Sequence, residues 1–108
     1  MGNHGLLGKQ NVYEQSMRCP LIIRGPKIPA NQSSKSYTYI HDLYATICNF
    51  SGITKPKELD SIDINPIIED PKVAIHEHLF IPFQDNQRAV CDGRWKLHLY
   101  PDQSSITF

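Results

Sequence analysis

The sequence predicts an α+β fold in which one strand and one helix, of the kind that an α/β parent sheet contains, precede a small antiparallel sheet. Three observations predict this class. The continuous apolar run Leu21–Ile23 lies between prolines, as a strand buried on both faces does. Apolar residues recur at helical spacing over 43–51. The last third of the chain carries strand-like segments on both sides of Asp92-Gly93, a strong hairpin signal.

Length and charge limit the function. The chain has 108 residues, of which 40% are apolar, and its 11 basic residues balance its 11 acidic ones. This balance gives no electrostatic reason to expect nucleic acid or an anionic membrane as a partner. No run approaches the ~18 apolar residues of a membrane span. The segment Met1–His4 lacks the basic start of a signal peptide, so a cytoplasmic location is expected for the sequence as given.

Residues 1–18 are predicted to form a polar loop that leads into a strand at 19–24. Gly5 and Gly8 permit the backbone to pass close to a ligand. Tyr13–Arg18 is expected to form a short helical turn. Within that turn, Glu14 and Arg18 have the i, i+4 spacing of an ion pair that would hold the loop against the strand.

The middle of the chain is predicted to contain one clear helix. Residues 36–40 carry β-forming residues and suggest a short strand or an extended approach. Asp42 is a suitable N-cap for a helix over 43–51, and Gly52 is a suitable C′ residue. The helical spacing concerns three apolar residues: Leu43, Ile47 and Phe50. A further short helical turn is expected around 64–69, interrupted by Pro66.

Residues 74–100 are predicted to form an antiparallel meander. In the segment 94–100, alternation places Trp95, Leu97 and Leu99 on one face, and we expect Trp95 in the core of the hairpin. Arg88 and Lys96 are expected on a solvated face. Residues 106–108 resemble the beginning of another strand.

The cysteines and the paired histidines have ordinary explanations. Cys19, Cys48 and Cys91 are an odd number without close spacing, which fits neither a disulfide framework nor a zinc site. His76 and His78 have an i, i+2 spacing that can bind zinc or copper on a strand. Without a third ligand nearby in sequence, surface histidines on an edge strand are the preferred interpretation.

Three stretches carry a resemblance to a known family. The first, within 3–26, includes His-Gly, Leu-Gly-Lys, Tyr-Glu and Arg-Cys-Pro-Leu-Ile. The second is Asp-Leu-Tyr-Ala-Thr-Ile at 42–47, and the third is Gln-Arg-Ala-Val-Cys-Asp-Gly-Arg-Trp-Lys-Leu at 87–97. Together they closely resemble the C-terminal part of the sulfatases, the formylglycine-dependent sulfate ester hydrolases of the alkaline phosphatase superfamily.

The resemblance implies roles for three residues of the first stretch. Lys9 matches the lysine that contacts the substrate sulfate. Asn3 and His4 match positions at the calcium and sulfate centre, although the family has an aspartate where this chain has Asn3. The family nucleophile is a cysteine in a Cys-x-Pro-Ser/Ala-Arg motif, and no cysteine of this chain lies in such a motif.

The resemblance implies that residues 1–70 are the end of an α/β catalytic domain and that 71–108 are an incomplete antiparallel subdomain. The parent enzyme would hydrolyse sulfate esters, and this chain alone is expected to be inactive. Two alternatives stay open. The chain is a non-catalytic module that docks with a separate chain or associates through exposed apolar edges, or its parent acts on phosphate or phosphonate esters.

Overall fold

A computed structural model describes residues 10–101 and the backbone of 105–107. The described helices and strands are α1 (Glu14–Met17), α2 (Asp42–Phe50), α3 (Asn65–Glu69), β1 (Leu79–Phe83), β2 (Gln87–Cys91), β3 (Lys96–Tyr100) and β4 (Ser105–Thr107). Short helices precede a separate antiparallel sheet, so the predicted α+β class is confirmed.

The chain divides into two compact units. One consists of Met1–Ile22 together with His78–Phe108, and the other is the continuous segment Ile23–Glu77. The division of the parent enzyme into 1–70 and 71–108 stays a prediction, because it concerns a longer polypeptide.

The sheet is a four-stranded antiparallel meander in the order β1-β2-β3-β4. Its register aligns Phe80 of β1 with Val90 of β2, and Val90 with Leu97 of β3. The connection between β2 and β3 contains four residues, since Cys91 pairs with Lys96. The Asp92 carboxylate accepts the N–H groups of the third and fourth of them, at 2.9 and 2.7 Å. These bonds hold the pKa of Asp92 below its usual value.

The predicted faces of β3 are reversed in the structure. Trp95, beside β3, is 65% exposed, and Leu97 and Leu99 are also exposed. The opposite face, with Lys96 and His98, is half-buried. The prediction that Trp95 lies in the core and Lys96 on a solvated face is therefore wrong, because residues 11–14 supply the side chains that cover the more polar face.

Arg88 also has a structural role that the sequence did not predict. Its Nη1 donates to the carbonyl oxygens of Gln84 and Gln87, at 2.6 and 2.7 Å. Gln84 is the first residue of the turn between β1 and β2, and Gln87 is the first residue of β2. Gln84 has a left-handed backbone with φ of 47°. Arg88 thus ties this turn together. Its pairing with Leu99 places it on the exposed face of the sheet, as predicted.

The predicted strand at 19–24 does not form in this chain. These residues adopt no regular element, and Ile22 is 91% exposed. A central strand needs neighbours that satisfy its backbone groups and cover both of its faces. No described strand pairs with this segment. Residues 36–40 likewise form no strand.

Helix α2 begins one residue earlier than predicted, at Asp42, and His41 is its N-cap residue. Its end agrees with the prediction: Gly52 has φ of 68° and donates to the Asn49 carbonyl at 3.1 Å. The next residue, Ile53, donates to the Cys48 carbonyl at 2.9 Å. This pair of bonds is the Schellman motif that a C′ glycine favours.

The buried face of α2 consists of small and polar side chains: Asp42, Ala45, Thr46 and Cys48. Two of the three residues that define the predicted apolar periodicity, Ile47 and Phe50, are exposed. Helix α3 begins just before Pro66, which lies in its first turn and leaves the helix uninterrupted.

Candidate functional site

The residues that follow the predicted sulfate-contacting segment are attached to the sheet. Asn11 and Val12 are buried, at 4% and 0% exposure. The Val12 N–H donates to Oε1 of Gln87 on β2 at 3.2 Å. Oδ1 of Asn11 accepts the N–H of Tyr13 at 3.0 Å and turns the chain into α1. The backbone immediately after Gln10 is therefore fixed against the second strand.

Tyr13 makes two contacts with β3. Its ring lies 5.0 Å from the His98 ring of β3, at an interplanar angle of 34°. The Tyr100 hydroxyl donates to the Tyr13 hydroxyl at 2.9 Å. One aromatic side chain thus combines a ring contact and a hydrogen bond on the same face of β3.

A charged pair completes the attachment. Lys96 Nζ lies 3.2 Å from Oε2 of Glu14, and the Lys96 side chain is only 15% exposed. The predicted pair between Glu14 and Arg18 is present at 3.8 Å, with the Arg18 side chain 80% exposed. The Lys96 pair is shorter and better shielded from water, so it is the stronger of the two.

The environment of this face of β3 shifts the pKa values of His98 and Tyr100. Burial, followed by the nearby charge of Lys96, lowers the pKa of His98. Burial and the hydrogen bond to Tyr13 raise the pKa of Tyr100 to about 12. Both shifts favour neutral side chains beneath Tyr13.

In the unit Ile23–Glu77, the centre is a buried carboxylate. Asp42 has 0% exposure. Its Oδ2 accepts the backbone N–H of Tyr39 at 2.7 Å and lies 2.7 Å from Nε2 of His76. Its Oδ1 accepts the backbone N–H of Ile62 at 2.9 Å. One side chain therefore joins three parts of this unit.

The contacts of Asp42 determine its charge. Burial opposes ionisation, but the N–H groups of Ile62 and Tyr39 and the His76 side chain favour the carboxylate more strongly. Together they hold the pKa of Asp42 below its usual value. The Tyr39 ring also contacts the rings of His41 and His76, whose centroids are 5.0 and 4.9 Å away.

The structure tests only part of the predicted site. Asn3, His4 and Lys9 lie outside the described residues. His76 is bonded to Asp42 before β1 begins, so its interpretation as a surface histidine on an edge strand is wrong. Cys19 is exposed and Cys48 is buried, both as free thiols.

The described residues contain neither a metal cluster nor a membrane-spanning helix. Within 10–101, no group of three or more His, Cys, Asp or Glu side chains is arranged to hold a metal ion. In the same part of the chain, every helix is too short or too polar to cross a membrane.

The important contacts that sequence analysis missed are the pairs Asp42–His76 and Tyr13–Tyr100. The alternation of β3 did place His98 and Tyr100 on one face, but nothing local indicated that Tyr13 would cover it. Asp42 was recognised for its position at the start of a helix and in the second family stretch, but not for its contact with His76.

Comparison with known proteins identifies the class. A family model described as N-sulphoglucosamine sulphohydrolase, C-terminal, matches residues 2–105. The chain therefore belongs to this family of sulfatase C-terminal regions.

Individual relatives agree. The chain is 34% identical over 71 residues to an N-acetylglucosamine-6-O-sulfatase of Bacteroides thetaiotaomicron, a match that covers 65% of the chain and 13% of the relative. It is 31% identical over 115 residues to arylsulfatase K of Canis lupus familiaris, covering 95% of the chain and 22% of the relative. It is 30% identical over 88 residues to N-acetylglucosamine-6-sulfatase of Homo sapiens, a match that covers 80% of the chain and 16% of the relative. The chain spans less than a quarter of the length of each of these relatives. No solved structure gives a significant match.

Proposed function

We propose that this chain supplies the C-terminal part of a sulfate ester hydrolase and that Lys9 contacts the substrate sulfate. The main support is the family match over residues 2–105. A second support is the attachment of Asn11–Glu14 to the sheet, which fixes the chain just after Lys9. The sheet then serves as the platform from which the lysine-bearing segment reaches a site formed with the rest of the polypeptide.

The contribution of Lys9 would be electrostatic. As the S–O bond of a sulfate ester breaks, its electron pair goes to the leaving oxygen, on which negative charge grows. A nearby ammonium group stabilises that charge in the transition state. Lys9 would act as a fixed cation, and the nucleophile, which in this family is a formylglycine, would come from outside this chain.

The calcium ion of the family fits this chain poorly. Calcium prefers several oxygen ligands, chiefly carboxylates. Asn3 offers one neutral carbonyl oxygen, and His4 offers a nitrogen, so the two do not form a calcium site by themselves. A bound calcium would need carboxylates from the remaining polypeptide, and we assign no step of the reaction to it here.

A non-catalytic docking module is the second candidate. It is favoured by the exposed apolar side chains of both units, among them Ile47 and Trp95. Such residues are typical of surfaces that another protein segment covers. In this case the chain would bind its partner without contributing to turnover.

The test uses a chimera in which this chain replaces the matching region of the Bacteroides thetaiotaomicron N-acetylglucosamine-6-O-sulfatase. The 108-residue chain alone, given calcium and an aryl sulfate, should release no product above the buffer rate. The chimera should hydrolyse a sulfate ester, and Lys9→Ala should lower its kcat/KM about 100-fold or more.

Lys35→Ala is the matched control, because Lys35 is an exposed lysine outside the motif. Equal activity of the Lys9 and Lys35 variants would refute the assigned role of Lys9. Turnover by the isolated chain would refute its dependence on other segments.

A further inference from the structure

Helix α2 has apolar residues where a surface helix normally has polar ones. Four large side chains lie at spacings of three or four residues on its outer side and in the turn just before it. We call them the α2 stripe: Ile40, Tyr44, Ile47 and Phe50. Ile40 is 88% exposed, Ile47 63% and Phe50 55%. The stripe contains no charged residue.

The polar residues of α2 are all engaged elsewhere. Asp42 and Thr46 are buried, and Thr46 Oγ1 accepts the backbone N–H of Ile64 at 3.0 Å. The Asn49 side chain donates to Asp63 at 2.5 Å. The helix is thus packed on one side through small and polar residues and is apolar on the other. A helix that is apolar on its outer side is typical of one buried on both sides.

The stripe is too small to be a dimer interface by itself. A nine-residue helix is only about 14 Å long, and a stable interface buries roughly 800 Å² on each partner. A segment of the same polypeptide needs no such area, because the covalent link already supplies a high effective concentration. The relatives contain such polypeptide, since this chain covers only 13 to 22% of their lengths.

We propose that the α2 stripe packs against an apolar surface of the remaining sulfatase polypeptide, the part that this chain does not cover in its relatives. This inference rests on the proposed function, because both require the chain to work together with that polypeptide. It goes further by naming the docking face and its apolar chemistry.

The experiment compares Ile47→Lys with Ile53→Lys. Both isoleucines are 63% exposed, and Ile53 lies beyond the end of α2, outside the stripe. Each substitution is made in the isolated chain and in the Bacteroides thetaiotaomicron chimera, and Tm is measured by circular dichroism. In the isolated chain neither should move Tm by more than about 2 °C, because both sites face water. In the chimera, Ile47→Lys should lower Tm by about 5 °C or more, since it would bury an unpaired ammonium group. Ile53→Lys should lower it much less.

Other outcomes would overturn the proposal. They include equal shifts for the two variants in the chimera, and an Ile47→Lys effect of the same size in the isolated chain. Sedimentation velocity of the isolated chain provides a further test. A dimer that Ile47→Lys dissociates would show that a second copy of the chain, not the remaining sulfatase polypeptide, covers the α2 stripe. An insoluble chimera, beside a soluble parent enzyme prepared in parallel, would also count against the proposal.

The same chimera separates this inference from the proposed function. A chimera that is folded and inactive but selectively destabilised by Ile47→Lys supports the docking face and refutes the catalytic proposal. A chimera that is active and insensitive to Ile47→Lys does the reverse.

Discussion

Each of the two compact units is stabilised internally in a different way. In Ile23–Glu77, one buried carboxylate accepts hydrogen bonds from residues 39, 62 and 76. In the unit that contains the sheet, the segment 11–14 is attached through separate contacts to Gln87, Lys96, His98 and Tyr100. The first arrangement concentrates stability in one side chain, and the second distributes it over several.

This difference predicts different responses to substitution. Removing the central group of a concentrated network leaves several buried donors unsatisfied at once. Removing one contact of a distributed set leaves the others in place. Both units nevertheless share one property: polar side chains lie among their buried residues, while several large apolar side chains are exposed.

Asp42→Ala should have the largest effect. It removes the acceptor of two backbone N–H groups and of His76, which is expected to lower the free energy of unfolding by about 3–5 kcal/mol. Urea denaturation followed by far-ultraviolet circular dichroism measures this. Asp60→Ala, at an exposed carboxylate of the same unit, should cost less than about 0.5 kcal/mol. Similar losses for both variants would show that stability is not concentrated at Asp42.

Tyr13→Ala should have an intermediate effect, about 2 kcal/mol, because it removes the ring contact with His98 and the bond to Tyr100. Tyr13→Phe keeps the ring and should cost about 1 kcal/mol. Tyr44→Phe is the control, because the Tyr44 side chain is exposed. The losses are measured by urea denaturation with hydrogen exchange of the sheet amides. A loss from Tyr13→Ala as large as that from Asp42→Ala would contradict the distributed attachment.

At alkaline pH a further effect concerns a single proton, that of the Tyr100 hydroxyl. The folded-state pKa of Tyr100 is about 12, above the ordinary value near 10. The resulting stabilisation is complete below pH 10 and is lost as the pH rises from about 10 towards 12. Absorbance at 295 nm should therefore show one tyrosine that ionises at about pH 12.

In Tyr13→Phe the hydrogen bond is absent, so the late transition should move towards pH 10. It should not disappear, because burial also contributes to it. A late transition that is identical in both proteins would exclude Tyr13 as one of its causes.

The sequence predicted the elements better than their surroundings. The termination of α2 at Gly52 and the antiparallel meander depend on local backbone chemistry, which short stretches of sequence encode. The buried sides of α2 and β3 were predicted wrongly because apolar periodicity identifies an apolar face without identifying what covers it. In this chain Tyr13 and Asp42 make the central contacts of their units. The apolar faces of α2 and β3 that the sequence periodicity identifies are exposed. The prediction of a strand at 19–24 was wrong for a related reason. Its apolar run implies neighbouring strands that the described part of the chain does not contain.

The partition of the chain also has a consequence for its biosynthesis. The unit Ile23–Glu77 is continuous in sequence and is inserted into the other unit, whose two segments lie on either side of it. A ribosome therefore completes the inserted unit first. Val12 can bond to Gln87 only after Gln87, 75 residues later, has been synthesised. At about 5–20 residues per second this delay lasts several seconds, far longer than a short helix needs to form. Residues 11–14 are thus expected to reach their final contacts after the inserted unit has been synthesised, and nascent chains stalled shortly before Gln87 should present them in an accessible state.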